Sequence, residues 1–327
     1  GSAFECWYDG KSRQTQPTYH TMETCVTFTW MQLCNRLLQL TGNSLYADYM
    51  EKTAYNALMA SLKKDASQIA KYSPLEGCRH EGEEQCGMHI NCCNANGPRA
   101  FAMIPQFAYQ VVGETIHINF YAPSEADLVL PGRKNVLLRQ MTDYPATDKI
   151  EIEVNPAKDA DFTVALRIPA WSKQVDVSVN GKSEKEILPG SYLSLTRKWK
   201  KGDRISIKLD MRARLVEQDG AQAIVRGPIV LARDSRFNDG FVDETSVIVS
   251  KDGYVELTPV EPPAFAWLAF TAPMILGTDL EGNSAARQIH LCDFASAGNT
   301  WDKMQRYRVW LPKTLNVQHA PYVPYDK

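Results

Sequence analysis

Apolar positions recur at helical spacing from residue 23 to about residue 40, where Val26, Trp30, Leu33, Leu37 and Leu40 form one stripe. Gly42 stands where a left-handed residue closes a helix, and Asn43 or Ser44 can cap the next one. That second helix carries Tyr46, Tyr49, Met50, Ala54, Ala57, Leu58 and Leu62 on its apolar face. A short third helix is expected from near Pro98, a residue suited to a first turn, to Pro105. Two or three such helices cannot enclose a core alone. They need a partner layer, and helices upstream of the chain are the favoured one.

From about Gly113 the period changes to two. Ile116, Ile118 and Phe120 alternate with Thr115, His117 and Asn119, as in a half-buried strand. Further strand-like runs lie at 150–154, 162–168, 175–179, 192–195 and 205–209, and Asn180-Gly181 is a hairpin turn signal. A second β-rich block starts near Arg214 and includes 223–231 and 307–311. Short strands with regular turns predict two antiparallel β-sandwiches. The expected fold is therefore an α+β multidomain chain with a helical region at 1–110, a first sandwich at 111–213 and a second at 214–327.

The 327 residues suffice for two or three domains that each bury a core. A formal net charge of −2 without any basic run argues against nucleic acid as a partner. No apolar stretch approaches the roughly 20 residues needed to span a bilayer. The opening Gly1-Ser2-Ala3-Phe4 is neither an initiator Met nor an apolar-cored leader, as expected of a fragment of a longer protein. It leaves the compartment unread, with the periplasm or cytoplasm favoured over the extracellular space.

Cysteine placement changes the picture most. Cys6, Cys25, Cys34, Cys78, Cys86, Cys92 and Cys93 precede residue 94, and only Cys292 follows. A chain this large does not need a disulfide scaffold, and clustering with Glu and His points to metal binding or catalysis. Cys92-Cys93 sits in Asn91-Cys92-Cys93-Asn94-Ala95-Asn96-Gly97-Pro98-Arg99. Both sulfurs can reach one metal across a turn, and the helix expected at Pro98 would bring its positive end close to them, favouring thiolate. The plainer alternative is a pair of buried small hydrophobes. Glu23-Thr24-Cys25 adds an oxygen and a sulfur two residues apart, which in extended backbone face the same point. Glu23, Cys25, Cys92 and Cys93 together make a four-donor set that Zn2+ accepts. Cys78, His80, Cys86 and His89 are the second choice.

A zinc-bound thiolate can serve as nucleophile at an anomeric carbon, with a carboxylic acid to protonate the leaving oxygen. Glu5, among Phe4, Trp7 and Tyr8, leads for that acid because apolar neighbours raise a carboxyl's pKa. Glu76, Glu81, Glu83 and Glu84 are rivals. Tyr19, His20, His89 and Asn91 are candidates for contacting sugar hydroxyls. The competing reading is a non-catalytic carbohydrate-binding or structural protein in which zinc is a staple.

Glu23-Thr24-Cys25 before an amphipathic helix, followed by Cys92-Cys93 with Asn96 and Arg99, resembles glycoside hydrolase family 127. Leu166-Arg167-Ile168-Pro169-Ala170-Trp171, Gly227-Pro228-Ile229-Val230 and Arg308-Val309-Trp310-Leu311-Pro312 extend the resemblance over nearly the whole chain. It implies a bacterial β-L-arabinofuranosidase with Cys92 as nucleophile, Glu5 as acid/base, and Glu23, Cys25, Cys92 and Cys93 as zinc ligands. It also implies an (α/α)6 barrel, most of it upstream, followed by two β-sandwiches, acting on an oligo- or polysaccharide. Asn94-Ala95-Asn96 departs from the prolines that usually follow the Cys pair, and the segment between Glu5 and Glu23 is slightly longer than usual, which together point to a subfamily not tied to the family's usual sugar.

Overall fold

A computed structural model of the chain describes residues 22–79, 91–277 and 285–313. The first helix, α1, spans Thr24–Thr41 and ends on Gly42 at φ 66, whose N–H donates to the Leu38 carbonyl at 2.8 Å. The glycine takes the left-handed conformation that this C-cap requires. The buried side of α1 is Thr27, Met31, Cys34 and Leu38, whereas Leu33 is 49% and Leu40 81% exposed. The expected stripe is therefore displaced. Both faces of α1 carry apolar residues, so periodicity alone does not choose between them.

The second helix, α2, spans Ser44–Thr53, and the Asn43 side chain caps it by accepting from the Leu45 N–H at 3.0 Å. A π-helical turn, Ala54–Leu58, continues it. The third helix, α3, spans Cys92–Ala108 and contains Pro98 and Pro105. It begins six residues before the expected start and passes both prolines. Each proline removes one intrahelical donor. The early start comes from reciprocal capping. Asn91 accepts from the Cys93 N–H at 2.9 Å, and Asn94 accepts from the Asn91 N–H at 3.0 Å.

The chain divides into two compact units. The first takes residues up to 27, 55–97 and 212 onward. Its centre is a branched sheet of 11 strands, ordered Ser246–Ile248, Ala269–Leu276, Arg287–Asp293, Ile229–Asp234, Ala221–Arg226, Ala213–Gln218 and Tyr254–Val255 along its main path. The expected run at 223–231 is two strands broken at Gly227-Pro228. Met22, Ala57, Ala60, Phe294, Tyr307 and Trp310 share one core cluster beside this sheet.

The second unit takes 28–54 and 98–211. Its six-stranded sheet runs Ser124–Leu130, Lys134–Met141, Lys149–Pro156, Asp203–Lys208, Asp176–Val179 and Lys182–Ser183, antiparallel throughout. Asn180 and Gly181, at φ 52 and 79, form the expected hairpin turn. A four-stranded sheet orders Ser191–Trp199, Ala160–Ile168, Thr115–Ile118 and Tyr109–Val112. Here Thr115–Ile118 runs parallel to Ala160–Ile168, against the all-antiparallel expectation. The fully buried Arg167 ties this sheet to α2, reaching Asp48 and Glu51 at 2.5 Å each and donating to the Asn119 carbonyl.

Candidate metal centre

All the groups of this site lie in the first unit. Glu23 immediately precedes α1 and forms an isolated antiparallel bridge with Tyr72. The Thr24 N–H donates to the Lys71 carbonyl at 2.9 Å, and the Thr24 hydroxyl donates to the Ala70 carbonyl at 2.7 Å. Ser73 N–H donates back to the Met22 carbonyl at 3.3 Å. The following residues are fastened to the sheet. The Tyr307 hydroxyl donates to the Pro74 carbonyl at 2.6 Å, and Glu76–Gly77 pairs with Tyr307–Arg308. The buried Arg79 guanidinium lies 4.8 Å from the Phe294 ring and 4.9 Å from the Tyr307 ring. The sheet thereby fixes residues 74–79, and the segment leading into them fixes the backbone of Met22, Glu23 and Thr24, just ahead of Cys25.

Cys92 and Cys93 occupy the first turn of α3, not the non-helical turn expected for them. This gives their sulfurs the positive end of the helix directly. Cys25 Sγ lies 2.8 Å from Cys92 Sγ and 3.4 Å from Cys93 Sγ. A Glu23 carboxylate oxygen lies 3.7 Å from Cys92 Sγ and 4.0 Å from Cys93 Sγ. All four donor atoms fall within 4.8 Å of one another. The cysteines are free thiols, and 2.8 Å is well beyond the roughly 2.05 Å of a disulfide. An ion holding sulfurs tetrahedrally at about 2.3 Å separates them by about 3.8 Å, so Cys25 Sγ would draw back from both other sulfurs to seat one, while the number and kind of donors match such a site. The donor set therefore fits a thiophilic divalent cation.

Burial divides the four. Glu23 is 4% and Cys93 0% exposed, whereas Cys25 and Cys92 are half-buried. Cys92 is pushed up to about 11 by burial first and the neighbouring Cys25 second. Cys25 is driven well above the ordinary thiol range, first by its contact with Cys93 and then by burial. Without a cation these groups stay protonated near neutral pH. A bound cation reverses that preference, because thiolate is the ligating form.

Two family models of one family match the chain. "Beta-L-arabinofuranosidase, GH127 catalytic domain" covers residues 2–106, and "Beta-L-arabinofuranosidase, GH127 middle domain" covers residues 115–211. The chain belongs to glycoside hydrolase family 127. A non-reducing end β-L-arabinofuranosidase of Bifidobacterium longum is 25% identical over 241 residues, which cover 67% of this chain and 36% of that protein. A solved GH127 β-arabinofuranosidase superposes with a TM-score of 0.75 at 26% identity, covering 89% of this chain and 49% of its own. The GH127 β-L-arabinofuranosidase of Geobacillus stearothermophilus T6 gives the same TM-score and coverage at 21% identity, a likeness of fold. This family-127 chain thus spans from about a third to about half the length of these relatives.

Of the residues singled out by sequence, the structure brings together Glu23, Cys25, Cys92 and Cys93. Cys78 is buried and not part of that group. Asn91 is 6% exposed, and its side-chain oxygen caps α3. Glu5, Tyr19, His20, His80, Cys86 and His89 lie outside the described residues. Sequence reasoning missed the 69–73 segment, because a backbone carbonyl such as that of Lys71, 3.8 Å from Cys93 Sγ, leaves no side-chain signature. Among the described residues no helix is long and apolar enough to cross a membrane.

Proposed function

We propose that this chain supplies the nucleophile and metal ligands of a retaining, exo-acting glycosidase that releases terminal β-L-arabinofuranose, or a related sugar, from plant-type glycans. The observation that carries the reading is the convergence of Glu23, Cys25, Cys92 and Cys93 with two sulfurs still reachable from solvent. The names of the family models and relatives supply the sugar. Zinc suits a three-sulfur, one-oxygen set, and when bound it would hold a coordinated sulfur as thiolate near neutral pH.

Cys92 is the nucleophile in this reading, since Cys93 is sealed and Cys25 is held by a neighbouring amide. The Cys92 thiolate attacks C1 as the bond from C1 to the aglycone oxygen breaks. A carboxylic acid, assigned to Glu5, protonates that oxygen. Water then attacks C1 of the thioglycoside, the carbon–sulfur bond breaks, and the carboxylate takes the proton of the water, so configuration is retained overall. Tyr19, His20, His89 and Asn91 are assigned to the sugar hydroxyls.

The rest of the sugar pocket is assigned to a longer polypeptide, in which residues 1–110 form part of an (α/α)6 barrel and 111–213 and 214–327 form two β-sandwiches. The match of the middle-domain model to 115–211 and the exposure of Leu33 and Leu40 on α1 support this division. The test uses the complete polypeptide with an aryl β-L-arabinofuranoside. Cys92→Ser is expected to abolish turnover, and a sugar epoxide is expected to label Cys92 in the unmodified protein. Full turnover by Cys92→Ser overturns the mechanism, and resistance of every cysteine to the epoxide favours a closed zinc staple.

A further inference from the structure

The two half-buried sulfurs, Cys25 and Cys92, would be equivalent candidates for nucleophile if nothing distinguished them. Asn96 does. It lies one helical turn after Cys92 in α3, and its amide nitrogen donates to Cys25 Sγ at 3.2 Å. The side chain is placed by the same turn that carries two of the ligands, because positions four apart stack on one helix face. The next residue keeps that turn close to the 69–73 segment. A Cβ on Gly97 would meet the Ile69 side chain at 3.0 Å, so the backbone here is pressed against the rail that also holds Glu23 and Thr24, just ahead of Cys25.

Resting on the metal reading of the site, we propose that Asn96 is a positioning residue for the metal centre, fixing Cys25 as its permanent ligand and leaving Cys92 as the sulfur that exchanges between metal and sugar. An N–H donor aimed at a metal-bound sulfur draws charge from it and fixes the direction of its lone pairs. Cys25 is then the weaker nucleophile of the pair and holds one orientation. Asn96 directs its amide at Cys25, while Cys92 lies on the turn that presents that amide. The family motif residue Asn96 thus acquires a role in deciding which of two half-buried thiolates reacts.

The test compares the complete polypeptide carrying Asn96→Ala and Asn96→Asp with the unmodified protein, using zinc and cobalt(II) as probes. Zinc affinity, read by chelator competition, is expected to fall about 10- to 100-fold in Asn96→Ala, the usual range for loss of a ligand-orienting partner. It is expected to fall further in Asn96→Asp, which keeps the shape but sets a carboxylate against a thiolate. The sulfur-to-cobalt charge-transfer bands are expected to shift in both variants. Limited haloacetamide alkylation with peptide mapping is expected to move from Cys92 towards Cys25. Unchanged affinity, bands and alkylation ratio would overturn the role of Asn96 while leaving the metal centre standing. An unmodified protein that binds neither metal would overturn the centre and this role together. Melting of the chelated variants within a degree of the chelated parent is the expected control, and a large loss there with unaltered cobalt bands also counts against the proposal.

Discussion

Single side chains in this molecule are set by what burial does to their protons. Cys92 is pushed up to about 11, chiefly by burial, against about 8.5 in an unfolded chain. A thiol with a raised value binds its proton more tightly in the folded state, so its stabilising contribution is present below about pH 8.5 and is lost as pH climbs towards 11. The chelated protein is therefore expected to melt at progressively lower temperature across that window, and Cys92→Ser to lose less over the same range. Parallel melting curves for the two proteins would contradict the assignment. Glu51 shows the same physics with a carboxyl. Burial raises it, Arg167 opposes the rise, and the Tyr144 hydroxyl donates to it at 2.7 Å. Arg167→Ala strands a fully buried Glu51 and is expected to cost about 3–5 kcal/mol in urea unfolding. With the guanidinium gone, burial is opposed only by the weaker pull of the Tyr144 hydroxyl, and stability is expected to recover as pH falls from 7 and the carboxyl takes a proton. A loss of the same size at every pH would mean that packing around Arg167, not the charge of Glu51, carries the effect.

At the level of elements, the metal centre depends on where α3 begins. Asn91→Ala removes the cap over the turn that holds Cys92 and Cys93, so a stability loss of about 1 kcal/mol is expected together with weaker zinc binding. Loss of stability with unaltered zinc affinity would show that the helix start does not place the sulfurs. Gly97→Ala probes the same turn from its other side. The added methyl meets Ile69, and the expected cost is about 1–3 kcal/mol, largely relieved when Ile69→Ala is combined with it. Additive losses in the double variant would exclude that contact as the cause. The start of α3 is also where the sequence was least legible. Asn94, Asn96 and Gly97 read locally as turn formers and Pro98 as the helix start, and only the exchange of hydrogen bonds between Asn91 and Asn94 shows the first three inside the helix. The end of α1 and the start of α2 were legible because Gly42 and Asn43 act within a few residues of themselves, whereas the π-helical turn after Thr53 was not. Alternation likewise located most strands of the second unit. The parallel pairing of Thr115–Ile118 with Ala160–Ile168 was not legible, since it joins positions 48 apart, Thr115 with Thr163 among them, and leaves no mark on either segment. The four donors were identified by residue type and grouping, while the 69–73 rail that aligns them works through backbone atoms.

For the molecule as a whole, the distribution of the ligands among distant segments decides what metal removal does. Glu23 and Cys25 come from one stretch of the first unit and Cys92 and Cys93 from another, with residues 69–79 joining both to the sheet. An ion bound only in the folded state adds stability by mass action, about 2.7 kcal/mol at a free concentration 100 times its dissociation constant. In this unit it also replaces hydrogen-bonded thiols with metal-bonded thiolates, so the gain belongs to the segments that carry them. Chelation is expected to lower the melting temperature. By hydrogen exchange, it is expected to deprotect 24–27, 69–73 and 92–97 first, while the six-stranded sheet of the second unit keeps its protection. The Lys71 carbonyl makes the pattern specific, because it accepts from the Thr24 N–H and sits beside Cys93 Sγ, linking both ligand segments. Uniform deprotection of both units would mean that the ion supports the chain as a single cooperative body. Unchanged exchange at 24–27 and 92–97 would mean that these segments are held by the sheet and rail alone, and that the ion serves the chemistry of Cys92 without contributing to the fold.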